Sequence, residues 1–430
     1  MRKLLSTLVL LSTFLNASSL QEPVNSLNDD EFDTFILGKS FFHIPWVEPP
    51  SATTARDGLG PLFSSNTCIS CHPQNGKGSV YNNSGEISRS LVSRLSLNNQ
   101  QTINPELGFI PDPIYGSQLS INAIYGVKPE GKPSRKYIEK IIILNKGEKI
   151  ILHQAIYGIT ELGYGALSKD IVISQRVPPA LIGLGLLEKI SDVQLLANED
   201  IEDKNRDGIS GKANRVYSPE HSAIVIGRFN WKANAPTVKY QVAAAMSNDM
   251  GLTSPLFPEE SCTTAQKECL AAPKGKDKFD VPMKRLDAVT FYLKNLQVPQ
   301  REEDEVYKKG LKLFKQLSCA SCHIPRFSLD NGRDIHPFSD LLLHDMGKGL
   351  ADGRVEFKAT GSEFRTAPLW GIATYKKILK KRVNFLHDGR AKTLKEAILW
   401  HGGEAEVSKN SFINLAPQKR KILIDFLESL

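Results

Sequence analysis

Two copies of a Cys-x-x-Cys-His motif, which end at His72 and His323, set strict chemical limits on how this chain can fold. Two thiols at this spacing can add to the two vinyl groups of one porphyrin, and the following histidine then supplies an axial nitrogen to the iron. A zinc site shared by all four cysteines and two redox-active dithiols are the alternatives, but neither needs a histidine after each pair. We therefore predict two covalently bound c-type haems, attached through Cys68, Cys71, Cys319 and Cys322 and ligated by His72 and His323.

Each motif lies within a longer repeat. Residues 62–72 and 313–323 share the pattern Leu-Phe-x4-Cys-x-Ser-Cys-His. Farther along, the segment Arg176–Gly183 returns in similar form at Arg365–Gly371. Because each of these segments follows its own Cys-x-x-Cys-His, the chain is predicted to contain two related modules.

The first twenty residues indicate export. Arg2 and Lys3 precede a mostly apolar run, and small residues follow at positions 17–19, as in a cleaved signal peptide. An uncleaved anchor is the alternative. No later segment is apolar over the length that a transmembrane helix needs. We predict a signal peptide at residues 1–19 and a mature protein of the bacterial periplasm that does not span a membrane.

The predicted boundary between the modules lies near residues 297–305, where a proline and an acidic run interrupt two helical patterns. We predict a first haem module at residues 20–296 and a second, cytochrome c-like module at residues 306–430. Both are expected to be mainly α-helical.

Two local patterns predict individual elements. In Glu305–Leu317 the apolar residues recur at helical spacing, and Gly310 allows close approach of another segment. In Tyr137–His153 two runs rich in Ile and Leu flank the sequence Asn-Lys-Gly, which predicts a β-hairpin inserted in the first module. In the helix predicted at Glu305–Leu317, the buried face is expected to consist of Val306, Leu313, Phe314 and Leu317.

The remaining cysteines and the charge narrow the possible functions. Cys262 and Cys269 lie seven positions apart in a polar loop, so that a local disulfide is the simplest prediction and free thiols used in chemistry are the alternative. The formal net charge of +7 is too small and too dispersed to indicate a nucleic-acid-binding protein.

A polar loop resembles the first half of a calcium-binding loop. Asp203, Asn205 and Asp207 stand at positions 1, 3 and 5, and Gly208 stands at the position of the sharp turn. Asn214 replaces the bidentate glutamate of position 12. We predict a calcium site here, and a polar turn capped by aspartate is the alternative.

Several long motifs, together with the two haem sites, make the sequence similar to the bacterial di-haem cytochrome c peroxidase superfamily. Within it, the chain resembles the di-haem oxidoreductase family, whose members are classed as peroxidases and also labelled thiol oxidoreductases. The resemblance covers essentially the whole mature chain. The matching motifs are DGLGPLFSSNTCISCH, DGISGKAN, GRFNWKANAPTVKYQVAAAMSNDMG, LLLHDMGKGLADG, FRTAPLWGI and HDGRAKTLKEAILWHGGEAE.

The resemblance implies roles for three residues of the first module. Trp231 matches the tryptophan that lies between the haems of the peroxidases, and Gln241 keeps the ten-residue spacing of the glutamine on the open side of the peroxide-binding haem. Asp249 stands where the family has an acidic residue. A carboxylate there could move a proton between peroxide oxygens, and an amide could orient the bound oxygen.

The resemblance also implies the distal ligands. His401 stands at the position of the methionine that ligates the electron-accepting haem in the peroxidases, so the second haem is expected to have two histidine ligands. Met346 is the rival ligand. No histidine lies between His72 and His153, so the first haem is expected to keep an open coordination position.

These features predict a peroxidase-like oxidoreductase whose open first haem is reduced through the second. The expected partners are a small redox donor protein or a quinol-linked cytochrome, with peroxide or a thiol as substrate. The alternatives are a thiol oxidoreductase and a non-catalytic periplasmic electron-transfer cytochrome.

Overall fold

The computed structural model describes residues 19–98, 103–379 and 383–430. The predicted signal peptide lies outside these residues except for Ser19. Helix makes up 29% of the structure and strand 19%. The expectation of a mainly α-helical fold therefore holds only in part, because antiparallel strand pairs accompany the helices along the chain. None of the helices in the described ranges combines the length and the apolar character needed to cross a bilayer.

The helices and strands follow one another in a mixed order. The helices are α1 (Asp29–His43), α2 (Cys68–Cys71), α3 (Leu184–Glu188), α4 (Asp192–Leu196), α5 (Val238–Met250), α6 (Lys267–Leu270), α7 (Met283–Lys294), α8 (Glu305–Gln316), α9 (Ile372–Leu379), α10 (Leu394–Trp400), α11 (Glu406–Asn414) and α12 (Pro417–Ser429). The strands are β1 (Leu62–Phe63), β2 (Val92–Leu97), β3 (Asn122–Ala123), β4 (Lys132–Ile143), β5 (Lys149–Thr160), β6 (Ile171–Arg176), β7 (Arg215–Ser218), β8 (Ala223–Ile226), β9 (Phe327–Ser328), β10 (Asp334–Ile335), β11 (Leu343–Asp345) and β12 (Glu363–Arg365). They form antiparallel pairs: β1 with β3, β2 with β6, β4 with β5, β7 with β8, β9 with β10, and β11 with β12.

The helix predicted before the second cysteine motif is confirmed as α8. Its buried face comprises Tyr307, Gly310, Leu313 and Phe314, whereas Val306 is 43% exposed, so the prediction was wrong for Val306. The face turns toward α12, which packs across it. A Cβ atom on Gly310 would lie 2.0 Å from the Cβ of Phe426, so only glycine permits the helices to approach this closely.

The predicted β-hairpin is confirmed and is longer than expected. Strands β4 and β5 pair from Lys132↔Thr160 to Ile143↔Lys149. Lys146 and Gly147 in the turn have φ values of 70° and 81°, a backbone conformation that glycine adopts at no steric cost. The turn reaches the second predicted module, because the amide of Asn145 donates to the carbonyl of Ile413.

One hydrophobic core extends through both predicted modules. It includes Phe35 and Tyr292 from residues 20–296 and Phe314 and Phe426 from residues 306–430. In the first half, α1 packs on α7, and in the second half α8 packs on α12. The boundary near residues 297–305 thus separates two helix pairs that share a core, and the domain limits themselves stay a prediction.

The structure joins Cys262 and Cys269 in a disulfide, as predicted. The loop that they close is anchored to a neighbouring segment, because the hydroxyl of Thr263 donates to the carbonyl of Ile114. Cys269 is fully buried. These two cysteines are therefore a structural pair, and the thiols left for chemistry in the described chain belong to the two Cys-x-x-Cys-His motifs.

Candidate functional site

One cavity lies between the two Cys-x-x-Cys-His motifs. Its walls include Cys71 and His72 from the first motif and Cys319, Cys322 and His323 from the second. The four motif cysteines are free thiols. The two motifs, 251 positions apart by the numbering of their histidines, therefore face the same internal space.

Both motifs fold into one tight turn that holds the histidine next to the cysteines. The first forms α2, whose N-terminus is capped by the hydroxyl of Thr67. The second forms a 3-10 turn over Cys319–Ser321. In each motif the histidine amide donates to the carbonyl of the first cysteine at 3.0 Å. The same local geometry thus arises twice from the same residue pattern.

The environment of the thiols does not favour the alternative chemistries. Burial raises the pKa of Cys71 to about 12 and that of Cys319 to about 12, whereas reactive dithiols have lowered pKa values. The described residues contain no cluster of three or more His, Cys, Asp or Glu side chains that could hold a metal ion, so the two pairs do not assemble a four-cysteine zinc site.

The second site, which we define by Cys319, Cys322 and His323, contains two histidines whose Nδ1 atoms are bonded to backbone carbonyls. The Nδ1 of His323 donates to the carbonyl of Phe338 at 2.9 Å, and the Nδ1 of His401 donates to the carbonyl of Ala397 at 2.7 Å. Such bonds orient an imidazole and leave Nε2 for a metal. Burial, with a smaller contribution from the proximity of His401, lowers the pKa of His323 to about 4. Both rings line the cavity.

The neighbouring residues of the second site differ in their ability to ligate iron. Both nitrogens of His344 are occupied, Nε2 by Asp340 at 2.8 Å and Nδ1 by Glu404 at 2.7 Å. Although burial opposes it, hydrogen bonding to these carboxylates raises the pKa of His344 well above its usual value. His344 is therefore a protonated partner of two carboxylates. Met346 lines the cavity and stays the rival of His401.

Two of the residues predicted around the first site, which we define by Cys68, Cys71 and His72, lie on one helix. Gln241 and Asp249 lie on α5, eight positions apart, with Ala245 midway between them. Positions spaced by four share a helix face, and all three residues line the cavity that also contains His72. The Nε2 of Gln118 donates to the Oδ1 of Asp249 at 2.7 Å. Burial raises the pKa of Asp249, against the opposing effect of Arg94.

A second internal repeat places α5 and α10 in equivalent positions. Phe229 bridges to Ala235, and Phe385 bridges to Ala391, 156 positions later in each case. A threonine then caps each helix, Thr237 for α5 and Thr393 for α10, and accepts a hydrogen bond from the third residue beyond it.

This equivalence identifies two residues that the sequence analysis missed, Ala245 and His387. At the same offset, Ala245 corresponds to His401, and Trp231 corresponds to His387. Alignment of the two segments, Phe-x-Trp-x3-Ala-x-Thr and Phe-x-His-x3-Ala-x-Thr, would have revealed them. The first site thus has a methyl group where the second has an imidazole.

Trp231 and His387 lie against each other at the wall of the cavity that both motifs line. Their ring centroids are 6.5 Å apart, and Phe364 stacks on His387 at 4.2 Å. The Nε1 of Trp231 donates to the carbonyl of Val177, and the amide of Val177 donates to the carbonyl of His387. Burial lowers the pKa of His387 to about 3, so its ring is neutral, and its Nε2 has no partner in the described structure. The position of Trp231 between two haems stays a prediction.

Comparison with known proteins identifies the family of the chain. The family model described as "Di-haem oxidoreductase, putative peroxidase" matches residues 160–430. The chain belongs to the di-haem oxidoreductase family. The resemblance stated from the sequence motifs is thereby confirmed, and the chain is a haem-dependent oxidoreductase.

Other comparisons add little to this membership of the di-haem oxidoreductases. Among solved structures, Kuenenia stuttgartiensis hydrazine synthase aligns over 100% of both chains with 13% sequence identity and a TM-score of 0.35, a similarity too low to support an argument. No curated protein is similar enough to the chain to count as a match.

The residues around the cavity of this di-haem oxidoreductase fit haem. Each motif has two free thiols and a histidine that lines the cavity, and Cys71, Cys319 and Cys322 line it as well. The second site adds His401, whose Nδ1 is already bonded and whose Nε2 has no partner among the described residues. This donor set matches covalent attachment through thioethers and axial ligation by imidazole. The histidines His72, His323 and His401 would hold the irons.

The predicted calcium loop of the di-haem oxidoreductase forms a closely bonded turn. The amide of Gly208 donates to Asp203, the amide of Asp207 donates to the side-chain oxygen of Asn205, and the amide of Ile209 donates to Asp207. Asn214 is fully buried elsewhere, with its side chain bonded to the carbonyls of Lys232 and Glu356. It is therefore not a ligand of this loop, and a calcium ion at the other three residues stays a prediction.

Proposed function

We propose that this di-haem oxidoreductase is an exported, peroxidase-like enzyme with two covalently attached c-type haems. The substrate reacts at the His72 site, and electrons arrive through the second site, held by His323 and His401. The haems supply the iron for peroxide reduction, in which peroxide, two electrons and two protons give two waters. Peroxide is the substrate that the polar residues of the first site suit best.

Ala245 is the observation that carries this proposal. It occupies the place in α5 that His401 occupies after α10, and it lines the cavity shared with His72. A methyl group cannot ligate iron. A haem held by His72 would therefore keep one coordination position free for a small substrate, which an electron carrier with two six-coordinate haems would lack.

Two side chains on either side of Ala245 supply polar groups to the free position. Gln118 bonds to the Oδ1 of Asp249, which leaves Oδ2 to hold or release a proton, and burial favours the protonated carboxyl. The Oε1 of Gln241 accepts a hydrogen bond from Asn230, so the amide nitrogen of Gln241 remains available to orient an oxygen. Asp249 thus moves the proton and Gln241 positions the substrate.

Trp231 and His387 lie between the two sites and suit the passage of electrons, because their rings make the shortest aromatic connection across the boundary that the structure describes. The electron donor is proposed to be a small redox protein or a quinol-linked cytochrome. Periplasmic location and calcium at Asp203, Asn205 and Asp207 are parts of the same proposal and rest on the sequence patterns.

Electron paramagnetic resonance of the oxidised protein tests this function. We expect one high-spin haem from the open first site and one low-spin haem from the second. Asp249→Ala should slow the reaction with peroxide by about 100-fold or more and leave both spectra unchanged, because it removes a proton donor and no iron ligand. Asp33→Ala, which removes an exposed carboxylate on α1, is the control.

Haem stoichiometry completes the experiment. The double variants Cys68→Ala/Cys71→Ala and Cys319→Ala/Cys322→Ala should each lose one of two covalent haems in denatured protein. If the protein shows two low-spin haems and does not react with peroxide after partial reduction, the enzyme hypothesis is wrong and the electron-carrier alternative is favoured. Bound zinc in place of haem would refute the proposal altogether.

A further inference from the structure

Arg94 lines the cavity next to the first site. It lies on β2, pairs with Ser174 of β6, and forms an isolated bridge with Gln118. Gln118 is the residue that bonds to Asp249. Arg94 is therefore the direct neighbour of the segment that holds Asp249, and its guanidinium lines the same cavity as His72 and Gln241.

The guanidinium of Arg94 has no hydrogen bond or ion pair to another side chain within the described residues, unlike the buried arginines near it. Arg176 is paired with Asp352 at 3.0 Å and with Glu356 at 2.8 Å. Arg354 is paired with the same oxygen of Glu356 at 2.7 Å. Asp352 and Glu356 are thus already paired with other cations, and Asp249 accepts a hydrogen bond from Gln118.

Arg94 is half-buried at the cavity wall, so a ligand that enters the cavity would remove water from its guanidinium, which is unfavourable unless the ligand itself accepts a hydrogen bond. The charge of Arg94 does interact with the more distant charges of Asp249 and Glu356. No side chain among the described residues accepts a hydrogen bond from its five N–H donors, and Arg94 lines the cavity. A ligand with negative charge on oxygen would satisfy them.

We propose that Arg94 is the anion-binding residue of the first site. It binds the oxygen of a small ligand seated at the open position and selects ligands that carry, or develop, negative charge there. This inference rests on the proposed function and names its substrate class: a small hydroperoxide or an inorganic anion.

The same contact assists peroxide reduction. As the O–O bond breaks, the departing oxygen gains electron density, and a hydrogen bond from a permanently charged guanidinium stabilises it. Asp249 then delivers a proton to this oxygen, which leaves as water. The two electrons come from the donor protein of the proposed function, and a second proton completes the second water. Arg94 keeps its own protons throughout.

Ligand binding to the oxidised holoprotein distinguishes Arg94 from a merely structural residue. The dissociation constants of fluoride, an anion, and imidazole, a neutral ligand, are measured by optical titration. Loss of a charged hydrogen bond should weaken fluoride binding by about 10- to 100-fold in Arg94→Met. Imidazole binding should change less than about twofold, because it gains nothing from the guanidinium. Arg94→Lys should recover part of the fluoride affinity.

Arg333→Met is the control, since it removes an exposed arginine with the same change in net charge. Haem content is measured on every sample, and Arg94→Gln replaces Arg94→Met if the latter does not load haem. If Arg94 only supports the haem, the variant should bind fluoride and imidazole equally more weakly. That result, or an unchanged fluoride affinity, would refute the role of Arg94 and leave the proposed function standing. A wild-type protein that binds neither ligand would overturn the proposed open site, and this inference with it.

Discussion

Ala245 and His401 occupy equivalent places in two repeated segments, and only His401 has a nitrogen that can ligate iron. The residues around them are otherwise built alike, with a threonine cap and a short bridge before each helix. Under the proposed function, this difference leaves the iron of the first site with an open position and gives the iron of the second a histidine ligand. Ala245 is informative because its methyl group has no atom that can ligate iron.

Exchange of this residue should close the first site. In Ala245→His the new imidazole stands where His401 stands in the second site, so the high-spin signal of the first haem should become low-spin and the reaction with peroxide should be lost. Electron paramagnetic resonance and a peroxide assay on the same sample measure both effects.

The control for this exchange is Ala245→Leu, which adds bulk without a nitrogen. It should keep the high-spin signal even if peroxide enters more slowly. If Ala245→His keeps a high-spin first haem with full peroxide reactivity, the equivalence of the two helices does not extend to the iron positions.

The sequence predicts some site residues better than others for a physical reason. Haem attachment depends on local spacing, so the two motifs are readable directly. The role of Arg94 depends on where β2, β6 and the segment around Gln118 meet, and no local pattern encodes that meeting. His387 could have been identified by alignment, because its segment repeats that of Trp231. A single histidine before Asp-Gly-Arg, however, forms no motif that would indicate a site by itself.

At the scale of elements, turn chemistry and apolar periodicity were the sequence signals that predicted structure correctly. The turn at Lys146 and Gly147 predicted the hairpin, yet its strands extend to Lys132 and Thr160, because the outer end of β4 is mostly polar and lacks an apolar pattern. Helix α8 was predicted within one residue, but Val306 faces solvent since α12 covers only part of the helix.

The crossing of α8 and α12 gives a prediction at this scale. Gly310→Ala places a methyl group against the Cβ of Phe426, and the main chains must move apart to admit it. The overpacking should lower the free energy of unfolding by about 1–3 kcal/mol, which outweighs the gain in helix propensity from replacing glycine.

Denaturant titration of the holoprotein measures this change. Lys312→Ala, on the exposed face of the same helix, is the matched control and should alter stability by no more than about 0.5 kcal/mol. Equal stability of the two variants would mean that the helices can separate at Gly310 without loss of packing.

At the scale of the molecule, the two predicted modules interlock. The amide of Arg365 donates to the carbonyl of Trp231, and the amide of Val177 donates to the carbonyl of His387, so each half bonds to the central segment of the other. The hairpin adds a third connection, because Arg135 and Tyr157 reach from it to Asp388. Sequence repeats predicted two modules, but the contacts that join them are between residues far apart in the chain.

The buried contact between the hairpin and Asp388 should be a main support of this assembly. Arg135 lies 2.6 Å from Asp388, and both side chains are fully buried. Arg135→Met leaves the carboxylate with Arg390 and Tyr157 but removes two charged hydrogen bonds, so the free energy of unfolding should fall by about 3 kcal/mol.

The neighbouring Lys132 provides the comparison that separates burial from charge. It forms an ion pair with Glu161 at 2.7 Å on the same hairpin, but both side chains are exposed. Lys132→Met should therefore cost less than about 1 kcal/mol. Urea denaturation of both variants measures the difference. Similar losses would show that the hairpin contributes through its net charge, whereas a loss confined to Arg135→Met, together with faster proteolysis of the hairpin, would show that the buried contact with Asp388 fastens it to the second module.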